Sequence, residues 1–203
     1  MPLMKPSIWS IGHSTGSIEN LLSLLQRAGI NAVADVRSAP FSSRMPWFNQ
    51  ESLAASLKTA GIEYQWLGVQ LGGRPADPAH YDDEGHALYG LMAETSPFEM
   101  GIERIERAAE KYQLSLLCSE EDPVDCHRNT FVGKVLRDRG VVSLVHLRHR
   151  EPYVESDDHL LQRLTPSQRH LRSDPLFPDL RPTWRSTHSL RKPWPTEGGE
   201  DGE

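Results

Sequence analysis

The run Leu114-Ser115-Leu116-Leu117-Cys118 constrains the fold most. A nearly unbroken apolar run of that length fits a central strand covered on both faces. Such a strand needs helices on either side, and the flanking sequence supplies them. Ile8-Trp9-Ser10-Ile11 reads as a first strand, followed by Ser17 as a cap and apolar residues at Ile18, Leu21, Leu22, Leu25 and Ala28, the spacing of one helical face. Gly29 stops that helix. Ala32 to Arg37 reads as a second strand with a polar end, and Asn49 caps a helix carrying Leu53, Leu57 and Ala60 that stops at Gly61.

Ile62 to Leu67 reads as a third strand, and a Gly/Pro/Asp-rich connection follows from Gly68 to about Gly90. Ser96-Pro97-Phe98-Glu99 predicts a helix start with Ser96 as the cap, running to about Lys111. After Leu114–Cys118, a helix is expected from about Cys126 through Phe131, Val135 and Leu136 to Gly140, then a last strand from Val141 to Leu147. Strands alternating with helices predict an α/β fold: one open, mostly parallel sheet with helices on both faces. That domain is expected over residues 1–170, with a short helix near Asp158–Leu164. Residues 171–203, rich in Pro, Arg and Gly, are expected to be a disordered tail, with Trp184 and Trp194 able to dock on the body or a partner.

A formal net charge of -6 argues against a protein that coats nucleic acid, though it leaves room for a local basic patch. Two cysteines in no disulfide-dense pattern, no apolar leader after Met1 and no run near the roughly 20 residues that span a bilayer predict free thiols, a cytoplasmic location and no membrane.

In an open parallel sheet, ligands bind beyond the carboxyl ends of the strands. The unusual polar residues fall there: His13 and Ser14 after strand one, Asp35 and Arg37 after strand two, Arg74 beyond strand three, and Cys118, Ser119 and Glu120 after strand four. Cys126-His127-Arg128 then opens a helix, whose unpaired N–H groups favour an anion and a lowered thiol pKa. The expected catalytic groups are Cys126, His127, His13, Asp35 and Glu120. Arg37, Arg44, Arg74, Arg128 and Ser14 are expected to hold an anion, with Arg37 and Arg128 clamping it through paired hydrogen bonds. His13 and His127 are expected to titrate near neutral pH.

Several sharper motifs are excluded. A phosphatase-like loop needs Arg six residues after its Cys, where this chain has Val124 and Val132. A rhodanese-like loop, GxGxxG and GxxxxGK[ST] are absent. No cofactor is expected; the alternative is zinc or iron held by Cys118, Cys126, His127 and His13. Two considerations weigh against it. Adjacent side chains diverge on a helix, and seven residues between the thiols match no standard zinc spacing.

With these residues assembled, the sequence resembles the DUF488 family of uncharacterised proteins. The resemblance rests on Ile11-Gly12-His13-Ser14, Asp35-Val36-Arg37-Ser38-x-Pro40, Ser43-Arg44-x-Pro46-x-Phe48-Asn49, Leu71-Gly72-Gly73-Arg74-Pro75, and Leu117-Cys118-Ser119-Glu120 through Cys126-His127-Arg128. It covers about residues 8–150, and Ser119 stands where the family often has Ala. The resemblance marks His13, Asp35, Arg37, Arg44, Cys118, Glu120, Cys126, His127 and Arg128 as motif positions and implies no mechanism. The expected partner is a phosphorylated small molecule or a nucleotide, acted on by an enzyme or held by a non-catalytic binding module, with nucleic acid as a further candidate.

Overall fold

The computed structural model describes residues 6–140, 142–165, 168 and 184–190. Six strands form one sheet in the order β3-β2-β4-β1-β5-β6. They are β1 (Ser7–Gly12), β2 (Ala32–Asp35), β3 (Glu63–Trp66), β4 (Leu114–Cys118), β5 (Ser143–Leu147) and β6 (Val154–Ser156). All neighbours run parallel except β5 and β6. The third strand, half exposed at the edge, is shorter than the Ile62–Leu67 reading, and β6 has no counterpart there. Its three residues are too few to show a period of two.

β4 is buried along its whole length, as its apolar run requires. Strand alternation sends side chains to two cores. Leu114, Leu116, Ala32, Ala34 and Ile8 meet Phe98, Ile102, Ile105, Phe131 and Leu136. On the other face Leu117, Val33 and Ile11 meet Leu21, Leu25, Phe48, Leu53 and Leu57. The first core is covered by α5 (Ser96–Ala109) and by the π-helical turn Arg128–Gly133 that runs into α6 (Lys134–Arg139). The second is covered by α1 (Ile18–Arg27) and α2 (Gln50–Thr59).

The helix termini largely follow local chemistry. Ser17 accepts from the Asn20 N–H and caps α1, and Gly29, Gly61 and Gly140 take positive φ just past α1, α2 and α6. Two starts differ from expectation. Thr95 caps α5 in place of Ser96, because its Oγ1 reaches the Phe98 N–H. Asn49 stands at the cap of α2, but its Oδ1 accepts from the Ser42 N–H instead and ties down the loop before it.

The connection from Gly68 to Gly90 holds α3 (Gly68–Leu71), a 3-10 turn at Pro78–His80, a bridge between Tyr81 and Ala87, and the start of α4 (Tyr89–Ala93). The expected short helix near residue 158 is α7 (Asp157–Arg163), capped by the Ser156 hydroxyl. Of the stretch read as a tail, residues 184–190 lie against the body; Trp194 and the remainder fall outside the described residues. Trp184 meets Tyr89 and Phe131 edge-on and donates its indole N–H to the Thr130 carbonyl at 2.9 Å. Among the described residues no helix is long and apolar enough to cross a membrane.

Candidate active site

β2 and β4 are neighbours, yet the chain leaves β2 for α2 on one face and leaves β4 for the π-helical turn and α6 on the other. Such a divergence opens a crevice at the carboxyl ends of the two strands. A cavity of about 290 Å³ occupies this place, lined among others by Arg37, Arg74, Tyr89, Cys118, Glu120 and His127.

Alternation puts Cys118 on the same face as Leu116, toward α6. Its Sγ lies 3.6 Å from His127 Nδ1. The other ring nitrogen, Nε2, is 2.8 Å from the Val36 carbonyl. A carbonyl only accepts, so Nε2 carries a hydrogen and the ring turns Nδ1 toward the sulfur. Gly73 makes room for this ring: a Cβ there would stand 2.5 Å from His127 Cγ. Gly72 in turn lies against Ser38 Oγ and the Gly68 carbonyl, and neither glycine has positive φ. Close approach, not turn geometry, explains this pair.

Cys126 sits behind them, fully buried, with the Cys118, Cys126 and His127 donor atoms all within 4.8 Å of one another. The two residues converge because Cys126 precedes the helix and His127 is its cap, so the divergence expected of helical neighbours does not apply. The electrostatics invert the sequence expectation for the thiols. A hydrogen bond from Cys126, helped by His127 and Arg128, holds the Cys118 thiol well below its usual value against the pull of burial. Burial and that same bond push Cys126 up. Burial draws His127 down, but the negative charge at Cys118 outweighs it and leaves the imidazole raised. Of the two thiols, Cys118 is the one whose ionised form these surroundings favour.

Other expected site residues stand outside the Cys-Cys-His cluster, although Arg37 also touches the cavity. Alternation puts His13, Asp35 and Arg37 on the opposite face, toward α1 and α2. His13 stacks on Phe48 with centroids 4.2 Å apart and bonds the Ser14 carbonyl through Nδ1. Burial, opposed by that bond, lowers its pKa to about 4, so it does not titrate near neutrality, and it stands outside the three-donor cluster. Asp35 and Arg37 form a buried pair. Arg37 Nη2 is 2.6 Å from Asp35 Oδ2, its Nη1 donates to the Phe48 carbonyl, and Tyr64 Oη donates to the same carboxylate at 2.7 Å. That fork is spent on protein, which removes it as an anion clamp.

Arg128 is likewise committed. Only 1% exposed, it donates from Nη1 to the Glu120 carbonyl at 2.6 Å, from Nη2 to that of Glu121 at 2.9 Å, and from Nε to Ser10 Oγ. It pins the loop after β4 to the sheet in place of binding a ligand. Gly12 allows this loop to cross, since a Cβ there would meet the Glu120 carbonyl at 1.6 Å. Ser14, at φ 55, extends the ladder by donating its N–H to the Ser119 carbonyl. Arg44 is exposed and lies away from the cavity, whereas Arg74 and Glu120 are exposed on its wall.

Sequence reasoning missed one side of the cavity. Ser186, Thr187 and His188 line it, together with Asp125 and Tyr89. The segment is stitched down by Ser186, whose N–H donates to the Ala87 carbonyl and whose Oγ accepts from the Ala87 N–H, and by Thr187 Oγ1, which donates to the Asp125 carbonyl. Trp184, flanked by prolines and arginines, was the sole signal for it.

The fold and the cluster define the class: an open α/β protein with a cavity at its switch point and a Cys-Cys-His group on the cavity floor. The chain belongs to the DUF488 family, a domain of unknown function, whose profile matches residues 17–135. That span contains Cys118, Cys126, His127 and Arg128. Neither the curated proteins nor the solved structures return a match.

Proposed function

We propose that the chain is an enzyme acting on a small phosphate-bearing substrate of nucleotide-like polarity, held in the cavity beyond β2 and β4. One observation carries this reading: the floor places Cys118 Sγ 3.6 Å from His127 Nδ1, with the ring oriented by Val36. A sulfur and an oriented imidazole within contact distance are the parts of a reacting centre. Among the described residues the Arg74 guanidinium, on the cavity wall, makes no hydrogen bond and is left to meet a phosphate, while its backbone N–H donates to Ser38 Oγ. Glu120, exposed on the cavity wall, is a carboxylate available for acid–base work. At about 290 Å³ the cavity suits a mononucleotide-sized molecule better than a polymer.

Equilibrium dialysis against nucleoside monophosphates, the matching nucleosides and inorganic phosphate tests it. A phosphate-dependent preference is expected, with Arg74→Ala weakening it by about ten- to a hundredfold, the worth of one charge-assisted bond. Cys118→Ser is expected to retain binding and lose turnover of the bound compound. Equal affinity for nucleosides and their phosphates, or none for either, sinks the reading. Turnover that survives in Cys118→Ser leaves only a binding module.

A further inference from the structure

We propose that the floor of this cavity is a zinc site, with Cys118 Sγ, Cys126 Sγ and His127 Nδ1 as its three protein ligands and its fourth position open to the cavity. The inference deepens the enzymatic reading above by naming the cofactor of the same centre.

The geometry supports it in three ways. Zinc–sulfur and zinc–nitrogen bonds of about 2.3 and 2.05 Å at a tetrahedral angle separate S from N by about 3.6 Å. The Cys118–His127 separation is 3.6 Å, and all three donors fall within 4.8 Å, so an ion enters with small side-chain adjustments. Next, the nitrogen of His127 that does not face the sulfurs donates to a backbone carbonyl. That arrangement fixes which nitrogen is left to ligate and holds the ring in place, as supporting groups around zinc-bound histidines do. Finally, the donor set is closed on one side and open on the other. Cys126 is sealed, whereas Cys118 and His127 reach the cavity wall.

No fourth Cys, His, Asp or Glu joins the cluster among the described residues. His13, facing the other side of the sheet, is not a ligand. Three protein ligands beside a cavity match the pattern of catalytic zinc, in which water or a substrate oxygen completes the tetrahedron; structural zinc is closed by four. Two thiolates and a neutral imidazole select zinc over the hard cations, and the two thiolates offset its charge. The spacing of seven residues between the thiols is no obstacle, since the ligands come from a strand end and the start of the following helix, not from one knuckle.

The test uses the full chain purified without a polyhistidine tag. Elemental analysis is expected to give about one zinc per chain, and chelation followed by cobalt(II) is expected to give sulfur-to-cobalt charge transfer with intense tetrahedral d–d bands. Cys118→Ser, Cys126→Ser and His127→Ala should each lower metal affinity by about tenfold or more. Folded protein that stays far below one equivalent of zinc after reloading overturns the proposal, as does wild-type affinity in Cys126→Ser. Inorganic phosphate and a nucleoside monophosphate are then added to the cobalt form. Shifted d–d bands support the open position, and bands that move with no small ligand make the site structural and overturn that part. Zinc bound without any phosphate ligand defeats the enzymatic reading alone. Ligand binding and turnover undiminished in metal-free protein defeat the zinc alone.

Discussion

Gly73→Ala isolates the link between the loop after α3 and the His127 ring. The added Cβ would stand 2.5 Å from Cγ, 2.6 Å from Cβ and 3.0 Å from Nδ1 of His127. Ordinary carbon contacts begin near 3.4 Å, so the ring must retreat by about 0.9 Å, because the facing atom is Cγ and not a flexible tip. The ring is held by the 2.8 Å bond from Nε2 to the Val36 carbonyl, and a shift of that size spoils the geometry of this bond or drives the loop outward. A lost bond to the carbonyl of the buried Val36 costs about 1 kcal/mol, and overpacking adds about 1–3. The expected loss is therefore about 2–4 kcal/mol in urea unfolding. Metal affinity, read by competition with a chromophoric chelator, should fall by about ten- to a hundredfold, the effect of disturbing a group that orients a ligand. Unchanged stability together with unchanged metal affinity would refute the argument, since it would mean that the ring and the glycine are not in contact. Gly61→Ala serves as the control for metal affinity alone: nothing stands within 4 Å of its Cβ, so affinity should be unchanged, while its φ of 73° makes the alanine cost stability by itself.

Three further outcomes are expected. Arg128→Met strands the Glu120 and Glu121 carbonyls and should cost about 3–5 kcal/mol by chemical denaturation, while a change below about 1 kcal/mol would contradict its role as a pin. Trp184→Ala removes the edge-on contacts and the indole bond to Thr130, so limited proteolysis should cut within residues 184–190 faster than in the parent, and an unchanged cleavage rate would count against docking of this segment. Asp122 is depressed to about 2: burial pushes it up, and Arg163, the Val124 N–H and Arg148 more than offset that. A carboxyl lowered in the folded state stabilises above its unfolded pKa of about 3.8, and that contribution disappears as pH falls toward about 2. The loss should be small because the side chain is 37% exposed, and Asp122→Asn should flatten it; an identical acid limb in the variant would refute the assignment.

The elements of the sheet were largely legible because each depends on local pattern. Leu114–Cys118 announced its double burial, and Gly29, Gly61 and Gly140 announced the ends of their helices. The short elements β6, α3 and α4 were not, since they carry neither an apolar run like that of β4 nor enough residues to show a period. The candidate site was legible by address and less so by role. Strand ends gathered the polar residues, but which face each one takes depends on register. One residue of offset puts Cys118 with His127 and puts Asp35 and Arg37 with Phe48. Burial then decided function against type. Arg37 and Arg128 look like anion clamps in sequence, yet both guanidinium groups are spent on buried oxygens. Thr187 and His188 had no local signal, because they reach the cavity from a distant part of the chain.

The sheet order sets a limit on how the family span can be treated. The matched region begins at residue 17, after β1, yet β1 lies between β4 and β5 and bonds to both. Excising that region would split the sheet through its middle and leave the Cys118 strand with a raw edge. The matched residues thus stop short of a piece that would keep this sheet whole.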